Sequence, residues 1–328
     1  MLFIWHGGEP MLRSLAFYRR VLELQNKYAK GKDIDNCIQT NGTLITDDWC
    51  RFLKDNGWLV GLSVDGPETL NDINRKTKVG EGSFRRIMKA VNMLERHGVE
   101  WNVMATVNKH NVGHPLEFYN FFKSINSRFI QFTPIVERYA EDGSKRLLAP
   151  HEDGGKMSPE SISPKEWGTF LCSLFDEWIK EDVGEYFIQI FEAFFANWLG
   201  VPPGLCSFSP VCGQAGVMEY NGDVYSCDHF VFPKYKLGNI FETPLASLMF
   251  GEKQAKFGND KYFRLPKQCK ECEFLRMCYD ECPKNRFATS KDGEKGLNYL
   301  CEGYRMYFSH LRDYMESDHA NIRLTKPY

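Results

Sequence analysis

Apolar and polar positions alternate in two periods along the first 140 residues. Short apolar runs end in Gly, Asn or Asp, and longer stretches with apolar residues at helical spacing follow them. Residues 2–5 run into Gly7-Gly8-Glu9-Pro10, and a helix is predicted over 14–29. Residues 37–39 run into Thr40-Asn41-Gly42, with a helix over 47–56. Residues 59–64 run into Asp65-Gly66-Pro67, and a helix follows Ser83. Residues 101–107 end at Asn108, before a helix that starts near Pro115, and 129–136 make a fifth strand. Strands alternating with helices at this spacing imply parallel βαβ units, in a doubly wound sheet or a barrel. Both place function at the carboxyl ends of the strands, where the Gly, Asn and Asp clusters fall.

Residues 140–162 are polar and rich in Gly and Pro, and read as a long loop or lid. Ser163-Pro164-Lys165-Glu166 has an N-cap and a Pro at the first helical position. The helix after it should bury Trp167, Phe170, Leu171, Leu174 and Trp178. Residues 186–199 read as a second buried helix, and Val201-Pro202-Pro203-Gly204 then breaks the chain. This divides it into a domain of residues 1–200 and a second of 201–328. In the second, Asn221-Gly222 between alternating runs is a hairpin signal. Residues 267–286 hold little apolar content beyond cysteine, so the segment needs a staple other than burial. A last helix is predicted over 297–315.

A chain of 328 residues with 43% hydrophobic content can bury a large core, and a net charge of −2 points to neither nucleic acid nor an anionic membrane. No run of 18 apolar residues and no signal peptide is present, and a cytoplasmic protein is expected. The eleven cysteines change the picture. Eight follow the spacing Cys206-x5-Cys212-x14-Cys227, then Cys269-x2-Cys272-x5-Cys278-x3-Cys282, then Cys301. Without an export signal, clustered cysteines more often bind metal than form disulfides. Two sets of four thiolates suit zinc and iron–sulfur clusters equally well. Cys37, Cys50 and Cys172 read as small buried core residues.

With Gly222 set between Cys212 and Cys227, the pattern resembles the seven-cysteine motif of the SPASM domain, an auxiliary-cluster module of radical S-adenosylmethionine enzymes. Cys206 is the eighth thiol found in its maturase members. The resemblance implies two 4Fe–4S clusters, one on Cys206, Cys212, Cys227 and Cys282, the other on Cys269, Cys272, Cys278 and Cys301. Gly7-Gly8-Glu9-Pro10 resembles the motif that meets the methionine amino group of S-adenosyl-L-methionine. Ser63 and Arg75 resemble residues at its ribose and carboxylate ends. Val136 resembles one that packs on adenine, although ordinary strand core is as good a reading of it.

Over almost the whole chain the sequence is similar to the anaerobic sulfatase-maturating enzymes. Trp5 to Pro10, Ile38 to Thr43, Phe187 to Gln189 and Gly222 to Phe230 carry that resemblance. It implies an oxidoreductase whose S-adenosylmethionine-derived radical abstracts hydrogen from a Cys or Ser of a sulfatase polypeptide, giving Cα-formylglycine. Asp228 would be the general base, with a flavodoxin- or ferredoxin-type protein as electron donor. The implied fold is α/β, a partial (β/α)6 radical S-adenosylmethionine barrel missing its first strand, with a C-terminal SPASM domain and helix. The family's Cys-x3-Cys-x2-Cys, which would hold a third cluster, is not in this sequence. The expectation is a fragment or a late start site. A radical peptide-modifying enzyme that forms thioethers, and a catalytically incompetent metal-stapled binding module, remain as alternatives.

Overall fold

The computed structural model describes residues 1–144 and 146–317. Contacts divide the chain into two compact units, one of Met1–Pro134 with Ser173–Gln189, the other of Ile135–Cys172 with the residues from Ile190 onward. The boundary drawn at 200/201 from the sequence follows the change of composition instead of this contact division.

The first unit contains β1 (Leu2–Trp5), α1 (Leu15–Tyr28), β2 (Asp35–Thr40), α2 (Asp47–Asp55), β3 (Leu59–Ser63), α3 (Glu68–Asn74), α4 (Phe84–His97), β4 (Trp101–Val107), α5 (Pro115–Ser124) and β5 (Phe129–Pro134). After β5 come the hairpin strands β6 (Arg138–Tyr139) and β7 (Lys156–Met157), α6 (Pro164–Glu181), β8 (Phe187–Ile188) and α7 (Gln189–Trp198). Six strands form one parallel sheet in the order β1-β2-β3-β4-β5-β8. Val60, Leu62, Val103 and Ala105 are fully buried in its centre. α2 buries Trp49, Cys50, Phe52 and Leu53, and α4 buries Ile87, Ala90, Val91, Met93 and Leu94, the stripe expected of helices laid on a core. Each helix is ended by local chemistry. Thr46 Oγ1 accepts from Trp49 N at 3.3 Å, and Gly98, at φ 62°, returns its N–H to Leu94 and Glu95.

The sheet brings the Gly, Asn and Asp clusters to one end, because each lies just past the carboxyl end of a strand in a parallel register. Residues 186–199, read as one helix, contain β8 at their start. Phe187 pairs with Phe129 and stacks on its ring at 5.0 Å, and only Gln189–Trp198 is helical. A two-residue strand inside a longer apolar run leaves no period for a sequence to display.

The second unit carries the β6–β7 hairpin, whose first strand lies just before the predicted loop and whose second lies inside it. Ser163 caps α6 ahead of Pro164, as predicted, and Glu166, not read as part of the cap, makes it a reciprocal capping box. A three-stranded antiparallel sheet of β9 (Val217–Met218), β10 (Asp223–Tyr225) and β11 (Lys236–Asn239) turns at Asn221-Gly222, where Gly222 has φ 85°. Short helices α8 (Leu245–Met249), α9 (Glu252–Phe263), α10 (Lys267–Lys270) and α11 (Leu275–Cys278) lead to a small hairpin, β12 (Ala288–Thr289) and β13 (Lys295–Leu297), and to α12 (Cys301–Met315). The predicted last helix therefore starts later, because Leu297 ends a strand. α12 buries Tyr304, Tyr307, Phe308 and Leu311, with Tyr307 stacked on Phe191 at 5.5 Å. No helix among the described residues is long and apolar enough to cross a membrane.

Candidate functional site

In the first unit, the candidate cofactor residues are held by strand-end chemistry. Gly7 and Gly8 have φ of 88° and 58°, a region glycine enters without cost. No atom crowds the place of a Cβ at either, so the backbone turn, not close packing, is what demands glycine here. Glu9 Oε1 accepts from Thr40 Oγ1 at 2.8 Å and from Met11 N at 3.0 Å, and its Oε2 accepts from Asn41 N at 2.9 Å. The carboxylate thus ties the β1 turn to the end of β2 and keeps spare lone pairs. Ser63 Oγ accepts from Gln39 Nε2 at 3.0 Å. Arg75 is not a solvated surface charge. Its Nε lies 2.7 Å from Asp65 Oδ2 and its Nη2 donates to Asp65 Oδ1 at 2.9 Å. Asp65, 3% exposed at its side chain, also accepts from the Thr106 backbone at 2.7 Å and hydroxyl at 2.8 Å. The guanidinium is aimed by a buried carboxylate and has donors left for a second one.

Val136 belongs to the second unit and is buried. It lines a cavity of about 160 Å³ with Arg138, His229, Phe232, Lys284 and Phe287. Arg138 is fixed there by the carbonyls of Glu152 and Gly154 at 2.9 and 2.6 Å and lies 4.1 Å from the Phe287 ring centroid. Asp228 is exposed, and its Oδ1 lies 3.1 Å from Cys227 Sγ. His229 Nδ1 lies 3.4 Å from Cys282 Sγ. Cys227, Asp228 and His229 offer three ligand atoms within 4.8 Å of one another.

All eleven cysteines are free. Of the three assigned to the core, Cys50 is buried, whereas Cys37 and Cys172 are half-buried. The other eight separate into two electrostatic neighbourhoods. In one, Cys282 acts on Cys227, and Cys206 acts on both Cys212 and Cys282. In the other, Cys301 and Cys278 act on Cys269, Cys301 acts on Cys278, and Cys272 acts on Cys301. Burial comes first in pushing the thiols of Cys227, Cys269, Cys278 and Cys282 up, followed by nearby charge: Asp228 at Cys227, Asp280 at Cys269 and Cys278, and Glu281 at Cys282. Burial pushes the Cys301 thiol up to about 12. Clustered thiols raised this far favour a cation that takes their protons' place, and four soft sulfurs per set fit a 4Fe–4S cluster.

Three residues that supply this scaffold were not read from the sequence. Lys261, 1% exposed, donates to the carbonyls of Cys206 and Ser207, both at 2.6 Å, which anchors the first cysteine loop. Arg286 and Asp280 form a buried ion pair at 3.1 Å beside the second set. A lone basic residue that collects backbone carbonyls leaves no spacing to find.

The sequence model of the Radical SAM superfamily matches residues 2–122, and that of the SPASM iron–sulfur cluster-binding domain matches residues 211–273. A serine-type anaerobic sulfatase-maturating enzyme of Bacteroides thetaiotaomicron is 57% identical over 96% of this chain and 77% of its own length. A cysteine-type anaerobic sulfatase-maturating enzyme of Clostridium novyi is 34% identical over 93% of this chain and 79% of its own. A solved structure described as "Native anSMEcpe with bound AdoMet and Cp18Cys peptide" aligns with a TM-score of 0.85 at 31% identity, over 98% of this chain and 86% of that one. With its parallel α/β sheet followed by a cysteine-rich module, the chain belongs to the anaerobic sulfatase-maturating enzymes, a family of radical S-adenosylmethionine oxidoreductases.

Proposed function

We propose that this protein takes part in converting a residue of a sulfatase polypeptide to Cα-formylglycine, with Asp228 as the general base. A serine-type relative is 57% identical, while another serine-type relative at 33% stands level with a cysteine-type one at 34%, so the target residue in this reading is Ser or Cys. In this reading Cys206, Cys212, Cys227 and Cys282 hold one auxiliary 4Fe–4S cluster, and Cys269, Cys272, Cys278 and Cys301 the other. When bound, S-adenosylmethionine and its cluster would supply hydrogen abstraction at the substrate Cβ, and clusters on these eight cysteines would supply a one-electron acceptor.

The chain's own residues have three tasks. Gly7, Gly8 and Glu9 present backbone and carboxylate to the cofactor's amino group. Ser63 meets the ribose, and Arg75, aimed by Asp65, meets the cofactor carboxylate. Val136 packs against adenine from its cavity. Asp228 takes the proton from the substrate hydroxyl or thiol. The observation that carries this role is its position: an exposed carboxylate 3.1 Å from the sulfur of a cluster cysteine, next in sequence to a residue lining the Val136 cavity. There a substrate oxygen can give up its proton close to the electron acceptor. The further partners in this reading are the sulfatase polypeptide and a flavodoxin- or ferredoxin-type donor, in the cytoplasm.

The test is Asp228→Asn in protein that also carries the Cys-x3-Cys-x2-Cys cluster, with a sulfatase peptide as substrate. Cleavage of S-adenosylmethionine should persist while formylglycine, read by mass spectrometry, falls about 100-fold or more, the usual scale of a general base. Undiminished formylglycine removes Asp228 from the role.

A further inference from the structure

Between Cys278 and Cys282 the backbone does something found nowhere else among the described residues. Tyr279, Asp280 and Glu281 have φ of 44°, 55° and 45°. Lys30 and Asn126, the other non-glycine residues described with positive φ, stand alone. Three in a row make a turn of left-handed helix, in which each Cβ is crowded by the carbonyl that follows. Asp280 is of a type that visits this backbone, but Tyr279 and Glu281 on either side of it are not. The turn joins the two four-cysteine sets, since Cys278 belongs to one and Cys282 to the other.

Arg286 holds the turn. Its side chain is 7% exposed. The guanidinium donates to the carbonyls of Tyr279 at 2.6 Å, Asp280 at 3.0 Å and Glu281 at 3.2 Å, and to Lys261 O at 2.6 Å. The side chains of the turn are held as well. Asp280 Oδ1 accepts from Asn298 N at 3.0 Å, and Glu281 Oε2 accepts from Asn298 and Asn285 at 2.9 and 3.1 Å. One planar fork with five donors therefore collects three successive carbonyls of a strained segment.

We propose that Tyr279–Glu281 is a rigid strap that fixes the separation of the two cluster sites, and that Arg286 is the positioning residue that keeps it left-handed. This rests on reading the eight cysteines as two clusters. A helical turn advances about 1.5 Å per residue, against about 3.3 Å in extended chain. A strap that loses its turn lets the sites move apart by several ångström, and electron exchange between them slows steeply with distance.

The test combines amide hydrogen exchange with electron paramagnetic resonance of the anaerobically reconstituted, reduced protein. Arg286→Ala should speed exchange over 279–282 by about tenfold or more, the factor for one lost charge-assisted hydrogen bond. It should also change the spin–spin splitting between the two reduced clusters, with the amides of the parallel sheet as an unchanged internal control. Arg286→Lys cannot fork and should behave like the Ala variant. Adding Tyr279→Gly to Arg286→Ala relieves the crowding at φ 44° and should restore part of the protection. A role of Arg286 in packing alone predicts further loss in that double variant, and this result overturns the proposal. Unchanged exchange and splitting in Arg286→Ala do so as well. Wild-type protein lacking acid-labile sulfide overturns the cluster reading and the spacing role with it, while the exchange data still decide whether Arg286 clamps the turn.

Discussion

In the parallel sheet, Val60, Leu62, Val103 and Ala105 lie side by side at 0% exposure, under helices that bury whole stripes of apolar side chains. Between Lys267 and Arg286 the buried residues are Cys269, Phe274, Met277 and Cys282 together with Asp280, Glu281 and Asn285. One apolar cluster among the described residues there is Leu265, Cys269 and Leu297, edged by Leu275, Ala288 and Cys301, and Phe274 packs on Phe308 at 5.7 Å. Each fully buried large aliphatic side chain stabilises by about 1.5–3 kcal/mol, so the sheet unit holds itself together from its own core. The cysteine segment has less of that source, with Phe274 and Met277 its large buried apolar side chains. Its order comes from carbonyl-collecting cations, Lys261 and Arg286, and in the reading advanced here from metal bound to thiols that burial has made reluctant to ionise alone. The two regions thus differ in what orders them: apolar burial in the sheet, and side chains that collect backbone carbonyls in the cysteine segment.

The sharpest way to break this contrast is to remove the metal. Chelation of the anaerobically purified protein should abolish exchange protection across residues 269–282 and leave Val103 and Ile130 protected. Parallel loss in both regions would mean that the cysteine segment is no separate case. The reverse perturbation has a smaller effect. Trp58, 1% exposed, stacks on Trp5 at 6.4 Å and meets Tyr18 and Phe52 edge-on. Trp58→Ala should cost about 3–5 kcal/mol in urea unfolding of the sheet unit without changing the metal content. Metal loss in that variant would show that the platform, not the thiols, sets cluster binding.

The parts of this arrangement that repeat were legible in the sequence. Alternation from Trp101 to Val107 gave β4, Ser163 and Pro164 marked the start of α6, and the cysteine spacing singled out eight thiols, all of them free. The parts that depend on one side chain meeting distant backbone were not. Arg75 was read as a cofactor ligand without its partner Asp65, although Asp65 stands in the neighbouring Asp-Gly-Pro turn. β8 was hidden because two residues show no period. The left-handed run at Tyr279–Glu281 was missed because it carries no glycine and only one residue, Asp280, of the types that visit such backbone. Arg286, its clamp, acts through carbonyls that every residue possesses.

Iron and acid-labile sulfide in anaerobically reconstituted protein test the account most directly. Two cubane clusters on this chain require about eight irons and about eight sulfides per molecule, held by the eight cysteines from Cys206 to Cys301. Serine at Cys269 should remove about half of both. Two zinc ions with no sulfide, or iron content indifferent to Cys269→Ser, would contradict it.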